Sequence, residues 1–239
     1  MTPRILAAGD QALTVELSSE VDEVVNARVI ALARSLADDP LPGVEETVPT
    51  YRSLLVLYDP GTVRGAALGA ALLERLGALD VRAGAARLWH VPVEYGGETA
   101  LDLEEMARMK EMSPDELIAL HGSAEYRVHM IGFAPGFTYL GGLPERLHTP
   151  RRATPRQFVA ASSIGIGGKQ ASVNSVAGPS GWRFLGRTPL VPFDPAREEP
   201  FLFRAGDRIR FHPVTSAEAA RLDAALARGE SPVTPEVAA

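Results

Sequence analysis

Residues 129–147, HMIGFAPGFTYLGGLPERL, hold the densest group of side chains able to shape a binding site. Phe133, Phe137 and Tyr139 supply planar rings. Gly132, Gly136, Gly141 and Gly142 admit backbone angles closed to other residues, and Pro135 and Pro144 restrict φ. A loop of this composition keeps its shape without a ligand, which lowers the entropic cost of binding. Two uses are open to it: lining a pocket or partner groove, or plugging one end of a β domain. Alternation along a strand-like stretch sends the side chains of Phe137 and Tyr139 to one side, nearer the mouth of such a site.

Other chemistry is offered and fails on spacing. SIGIGGKQAS (163–172) is similar to a phosphate-binding loop, but position 163 is Ser where Gly is needed and Lys169 is followed by Gln170. A tight β-turn carrying a lysine is the better reading. RMKEM around Lys110 has the look of a biotin attachment site but falls in a helical stretch. The histidines at 90, 121, 129, 148 and 212 match no zinc spacing, and no Gly-x-Ser-x-Gly surrounds a serine. Ser162 and Ser163 read as hydrogen-bonded strand residues. The carboxylates Asp102, Glu104, Glu105, Glu111, Asp115 and Glu116 read as the solvated face of a helical segment.

The elements that must carry these residues fall into two textures. Over residues 1–85, ALTVEL reads as a strand, SEVDEVVNARVIALARSLAD as a helix, VPTYRSLLVLYD as a strand and VRGAALGAALLERLGAL as a second helix. Gly65 and Gly69 lower the propensity of that helix by about 1 kcal/mol each, which points to close packing on a sheet. This is a small α+β layer of ferredoxin-like type. Over residues 86–239, ARLWHVPVEY reads as a strand, followed by a helical insert near 100–121. Its second helix carries Ser113, Pro114 and Glu116 as a start signal. Short β-rich runs then follow, among them EYRVHMIGF, FVAASSIGIGG, ASVNSV, WRFLGRT, PFLF and DRIRFHPV, the spacing of a closed or sandwich-like β domain. A C-terminal helix, SAEAARLDAALARGE, precedes a Pro-containing coil.

The composition sets limits on partners. The net charge of −6 and pI near 5.4 argue against sequence-independent binding of nucleic acid or of an anionic membrane, both of which need a basic face. The absence of cysteine removes disulfides, thiolate metal sites and a cysteine nucleophile. The N-terminus lacks a long apolar run and no later stretch approaches the ~18 apolar residues of a membrane span, so a cytoplasmic protein with small molecules or proteins as its partners is expected.

Taken in order, VPTYRSLLVLYDP, VPVEYGG, LHGSAEYRVHMIGFAPGFTYLGGL, TPRRATPRQ, GWRFLGRTPL and AGDRIRF resemble the family known as PxpB, allophanate hydrolase subunit 1 or KipI, over nearly the whole chain. The resemblance implies an α+β protein whose N-terminal α+β domain is followed by a cyclophilin-like β-barrel domain. It implies one subunit of an ATP-dependent 5-oxoprolinase, inactive alone, which opens 5-oxoproline to glutamate. The partners implied are a sister subunit of the PxpC or allophanate hydrolase subunit 2 type and a PxpA-type subunit. ATP is used by the assembled complex, with neither metal nor biotin attached to this chain. Two other roles occur around the same family: half of a biotin-dependent carboxyltransferase of the allophanate or urea type, and a non-catalytic inhibitor of a sensor histidine kinase.

The resemblance implies a substrate-binding or shared site drawn from His121, Gly132, Phe133, Pro135, Gly136, Phe137, Tyr139, Arg151, Arg152, Arg156, Ser163, Gln170, Trp182 and Arg187, without assigning the catalytic group. The chain departs from the family pattern at Ala160, Ser162, Ala171, Asn174, Ser175 and Ser180. Arg151, Arg152 and Arg156 form a basic knot in an acidic chain. Opening a lactam with ATP calls for fixed cations around developing negative charge, and the arginine fork matches carboxylate or phosphate. Ion pairing at the rim of a subunit interface is the alternative use. Trp182 reads as a core or pocket wall, and His121 as a cap or brace for the aromatic loop.

Overall fold

The computed structural model describes residues 2–79 and 86–237, which belong to two units, Met1–Gly84 and Ala85–Ala239. The first unit runs β1 (Arg4–Ala7), β2 (Ala12–Glu16), α1 (Glu23–Asp38), β3 (Val44–Pro49), β4 (Ser53–Tyr58) and α2 (Gly65–Ala78). Its strands form an antiparallel sheet in the order β1-β2-β4-β3. Helix α1 begins where the Asp22 carboxylate accepts from the amides of Val24 and Val25. It buries Val29, Leu32 and Leu36 at helical spacing, in one core with Val15, Leu54 and Val56 from the sheet and Leu68, Leu72 and Leu76 from α2. A Cβ on Gly69 would lie 3.1 Å from the Ile5 side chain, and one on Gly65 only 2.5 Å from the Tyr58 hydroxyl. The close packing expected of the α2 glycines is therefore present.

The single strand expected over VPTYRSLLVLYD is a hairpin. The Thr50 amide donates to the Ser53 carbonyl at 2.9 Å and separates β3 from β4. Strand β3 lies at the sheet edge with Glu45 and Glu46 exposed, so it lacks the apolar alternation of a half-buried strand. Strand β1, four residues with three exposed, carries no readable pattern either.

The second unit contains β5 (Arg87–Val93), α3 (Leu103–Met109), α4 (Pro114–Gly122), β6 (Glu125–Ile131), β7 (Thr138–Gly141), β8 (Arg156–Val159), β9 (Ser163–Gly167), β10 (Gln170–Val173), β11 (Gly178–Ser180), β12 (Arg183–Arg187), β13 (Arg208–Pro213), α5 (Ser216–Ala227) and β14 (Glu236–Val237). Eight strands form one sheet in the order β12-β9-β10-β7-β6-β13-β5-β14, while β8 and β11 pair as a separate ribbon. The sheet is antiparallel except for the parallel pair β5/β13. It curls until Glu94, just beyond β5, bridges Arg187 at the end of β12. One face of the curl holds the main core, with Val91, Val128, Leu140, Ile164, Ile166, Leu185 and Phe211 among its members.

Helix α4 opens with the capping box read from the sequence. The Ser113 hydroxyl accepts from the Glu116 amide at 3.2 Å, and the Glu116 carboxylate accepts from the Ser113 amide at 2.7 Å. SIGIGGKQAS is a hairpin in which β9 and β10 are joined through Gly168 and Lys169, with Gly168 at φ 67°. Two expectations fail. PFLF contributes only an isolated bridge between Phe193 and Phe201, and the C-terminal coil includes β14, which pairs with β5. No described helix is long and apolar enough to cross a membrane. The chain is an α+β protein with a curled half-barrel sheet in its second unit.

Candidate functional site

Opposite the main core, the curled sheet presents a second face made largely of glycines and rings. Strand alternation places Leu140, Ala171, Ile166 and Leu185 toward the core and leaves Tyr139, Ser172 and Gly165 on the other side. Ser172 pairs with Tyr139 on one flank and Gly165 on the other, and Gly165 pairs with Phe184. The glycines make room for rings. A Cβ on Gly165 would sit 2.9 Å from the Phe184 ring, on Gly167 2.7 Å from Trp182, and on Gly141 2.2 Å from His129.

Over this floor Phe137, Trp182, Phe184 and Val159 form a small core of their own, with Ala134 and Tyr139 packed against it. Phe137 lies 4.7 Å from Tyr139, 5.9 Å from Trp182 and 5.8 Å from Phe133, all centroid to centroid. The loop leading in is pinned by the Gly132 amide donating to the Phe137 carbonyl and the Phe137 amide donating to the Ala134 carbonyl. Gly136, at φ 75°, packs so that a Cβ would come within 2.6 Å of Phe193, and Pro135 is exposed. Phe133 is the exception in the cluster: it holds φ 71° and remains 83% exposed. Phe137 and Tyr139 do share a side, but Phe137 is buried and Phe133 is the ring that reaches solvent. Burial raises the Tyr139 phenol above its ordinary pKa, with the charge of Arg151 pulling the other way.

The three arginines of the basic knot are used differently. Asp102, at the start of α3 and 1% exposed, accepts from Arg152 at 3.1 Å and from both terminal nitrogens of Arg156 at 2.8 Å, and also accepts the Phe184 amide at 2.8 Å. Glu105 pairs with Arg183 at 3.0 Å and Arg152 at 3.5 Å. Arg152 and Arg156 therefore tie β8 and the residues just before it to the start of α3 within the chain. Arg151 instead lies over the Trp182 ring, its guanidinium carbon 5.0 Å from the centroid.

The remaining predicted residues are dispersed. Ser163 is buried, its hydroxyl donating to the Ala160 carbonyl at 2.9 Å. Gln170 is half-buried beside the β9/β10 turn, opposite Gly167. Arg187 is clamped between Glu94 at 2.9 Å and Asp223 at 2.9 Å, joining β12 to β5 and α5. His121 neither caps nor braces the loop. Its ring stacks on Phe211 at 4.8 Å beside Tyr126, and Nδ1 shares a 2.7 Å hydrogen bond with the Tyr95 hydroxyl. Burial pushes its pKa down to about 3 and raises those of Tyr95 and Tyr126.

Sequence reading missed Asp102 as the buried counter-ion, Arg183 and Glu105 as members of the same network, and Ser172, whose buried hydroxyl has no hydrogen-bond partner among the described residues. Among the described residues no group of three or more His, Cys, Asp or Glu is placed to hold a metal ion. The arrangement offers an aromatic surface with the Arg151 guanidinium at its edge.

Residues 3–203 match the family model described as carboxyltransferase domain, subdomain C and D. The chain is 39% identical over 218 residues to the 5-oxoprolinase B subunit of Bacillus subtilis (strain 168), covering 85% of this chain and 89% of that protein. It is 42% identical to the 5-oxoprolinase B subunit of Escherichia coli O157:H7, covering 88% of this chain and 95% of that one. The K. lactis urea amidolyase superposes over 98% of this chain and 16% of its own length, with TM-score 0.81 at 20% identity, a likeness of fold. The chain thus belongs to the carboxyltransferase subdomain C and D family and, within it, to the 5-oxoprolinase B subunits.

Proposed function

We propose that this chain is a subunit of an ATP-dependent 5-oxoprolinase complex and takes part there in opening 5-oxoproline to glutamate. The observation that carries the reading is its identity of 39% and 42% to two 5-oxoprolinase B subunits along nearly their whole length. The chain acts in the cytoplasm with a sister subunit of the PxpC or allophanate hydrolase subunit 2 type and a PxpA-type subunit, and ATP is bound in the assembly. Its aromatic face supplies one wall of a site shared with the sister subunit. Tyr139, Arg151 and Trp182 lie on that wall, and the exposed Phe133 faces the partner. A bulky residue at positive φ with its ring in solvent is costly unless something uses it, which supports this orientation.

Two finer readings of the fold belong with this function. The first unit is a ferredoxin-like layer in which β1 takes the position of the usual last strand, a reading supported by the order β1-β2-β4-β3 with α1 after β2 and α2 after β4. The second is a cyclophilin-like barrel, a reading supported by the seam at Glu94 and Arg187. A second function, half of a biotin-dependent carboxyltransferase, is favoured by the name of the matching family model. Co-expression with sister subunits separates the two: 5-oxoprolinase activity yields glutamate and ADP, whereas a carboxyltransferase requires a carboxylated biotin donor.

A further inference from the structure

We infer that Arg151, seated on Trp182, is the group by which this chain grips an oxyanion, and that its neighbouring arginines hold it in place without competing for the ligand. The site is argued from geometry; only the identity of the anion rests on the 5-oxoprolinase reading.

The pairing of charges around residues 150–156 separates Arg151 from the rest. A carboxylate offers about four lone-pair positions, and four donors reach Asp102: two nitrogens of Arg156, one of Arg152 and the Phe184 amide. Glu105 is engaged by Arg183 and Arg152. Asp102 has no place left for Arg151, which is exposed and makes no ion pair among the described residues, with Glu105 or any other acid. A guanidinium held over an indole by the ring's quadrupole spends no N–H donor on a carboxylate, so its donors stay available to an anion.

The seating is fixed from both sides. The Arg152 amide donates to the Gly181 carbonyl at 2.7 Å, and the Arg183 side chain donates to the Pro150 carbonyl at 3.2 Å. These crossed ties bracket Arg151 against Trp182, residue for residue. Trp182 in turn lies on Gly167, where a Cβ would be 2.7 Å from its ring, and meets Tyr139 edge-on at 6.1 Å. The backbone on both sides of Arg151 is therefore fixed and the indole gives its guanidinium a seat, which lowers the ordering cost when two coplanar oxygens dock on it. Tyr139 and the loop aromatics beside it give an apolar rim for a compact body. The ligand class is a small molecule ending in a carboxylate or phosphate. In ATP-dependent lactam opening both occur, as the carboxylate of 5-oxoproline and as the phosphates of ATP.

The test uses the co-expressed complex with Arg151→Gln. If the anion is the substrate carboxylate, KM for 5-oxoproline rises at least tenfold while KM for ATP and the melting temperature stay within error. The variant then also loses the preference of the wild type for 5-oxoproline over its carboxamide. A rise confined to KM for ATP assigns the same fork to phosphate. Unchanged KM for both in an active complex overturns the inference. If the wild-type complex does not turn over 5-oxoproline, the functional reading fails separately. The site is then judged by titrating the full chain with inorganic phosphate and with acetate while following tryptophan fluorescence. A saturable change lost in Arg151→Gln supports the grip, and no saturable change overturns it.

Discussion

Burial holds the His121 imidazole neutral, because the rings of Phe211, Tyr126 and Tyr95 cannot solvate a charge and Nε2 has no partner among the described residues. Its pKa falls from 6.5 to about 3, so the unfolded chain binds the proton more readily than the folded one. Stability from this group is complete above pH 6.5 and is lost as pH falls from there toward 3. Between pH 7.5 and 5.0 the loss amounts to about 2 kcal/mol, at 1.36 kcal/mol per pH unit below 6.5. Carboxylates such as Glu116 and Glu218, held below their ordinary values by N-cap hydrogen bonds, act only lower on the scale. Urea unfolding at the two pH values measures this, and His121→Phe is expected to lose most of the pH dependence. At this scale the sequence was hardest to read for Asp102. Its donors lie 50, 54 and 82 residues away, so no local window separates it from the solvated carboxylates beside it.

Elements were legible where local chemistry is complete. The capping box of α4 and the glycine-bearing turn between β9 and β10 are written in consecutive residues, and both form as read. Edge elements such as β1 and β3 were not, since exposed strands lack the alternation that marks burial. The aromatic loop falls between these cases: its stiffness follows from composition, while the burial of Phe137 in place of Phe133 follows from its packing with Val159, Trp182 and Phe184, which come from distant segments. Phe133→Gly tests the loop as an element. Relief of φ 71° is worth about 1–2 kcal/mol and the added freedom of glycine in the unfolded chain offsets about 0.5–1, so stability should hold or rise by up to about 1.5 kcal/mol. Affinity for the sister subunit should fall about tenfold, as measured by native mass or calorimetry. A drop in melting temperature with unchanged assembly would assign Phe133 to the packing of this chain alone.

At the scale of the molecule, the main cores of the two units are built from separate stretches of chain, one from Leu13 to Leu76 and one from Trp89 to Phe211. Fragments 1–79 and 86–239 expressed apart are each expected to unfold cooperatively, followed by circular dichroism in urea. Failure of both would mean that the cores depend on one another. The main hydrophobic patterns of these cores could be read in the sequence, but the curl that brings Glu94 to Arg187 could not, because it pairs residues 93 positions apart.

Function and shared site are tested together by one assay of purified material: release of glutamate and ADP from 5-oxoproline and ATP, with the chain alone and with the chain co-purified with its sister subunits. The expected result is steady release from the complex and none from the single chain. Turnover with the chain alone would contradict the shared site, and a fully assembled complex that leaves 5-oxoproline intact would contradict the function.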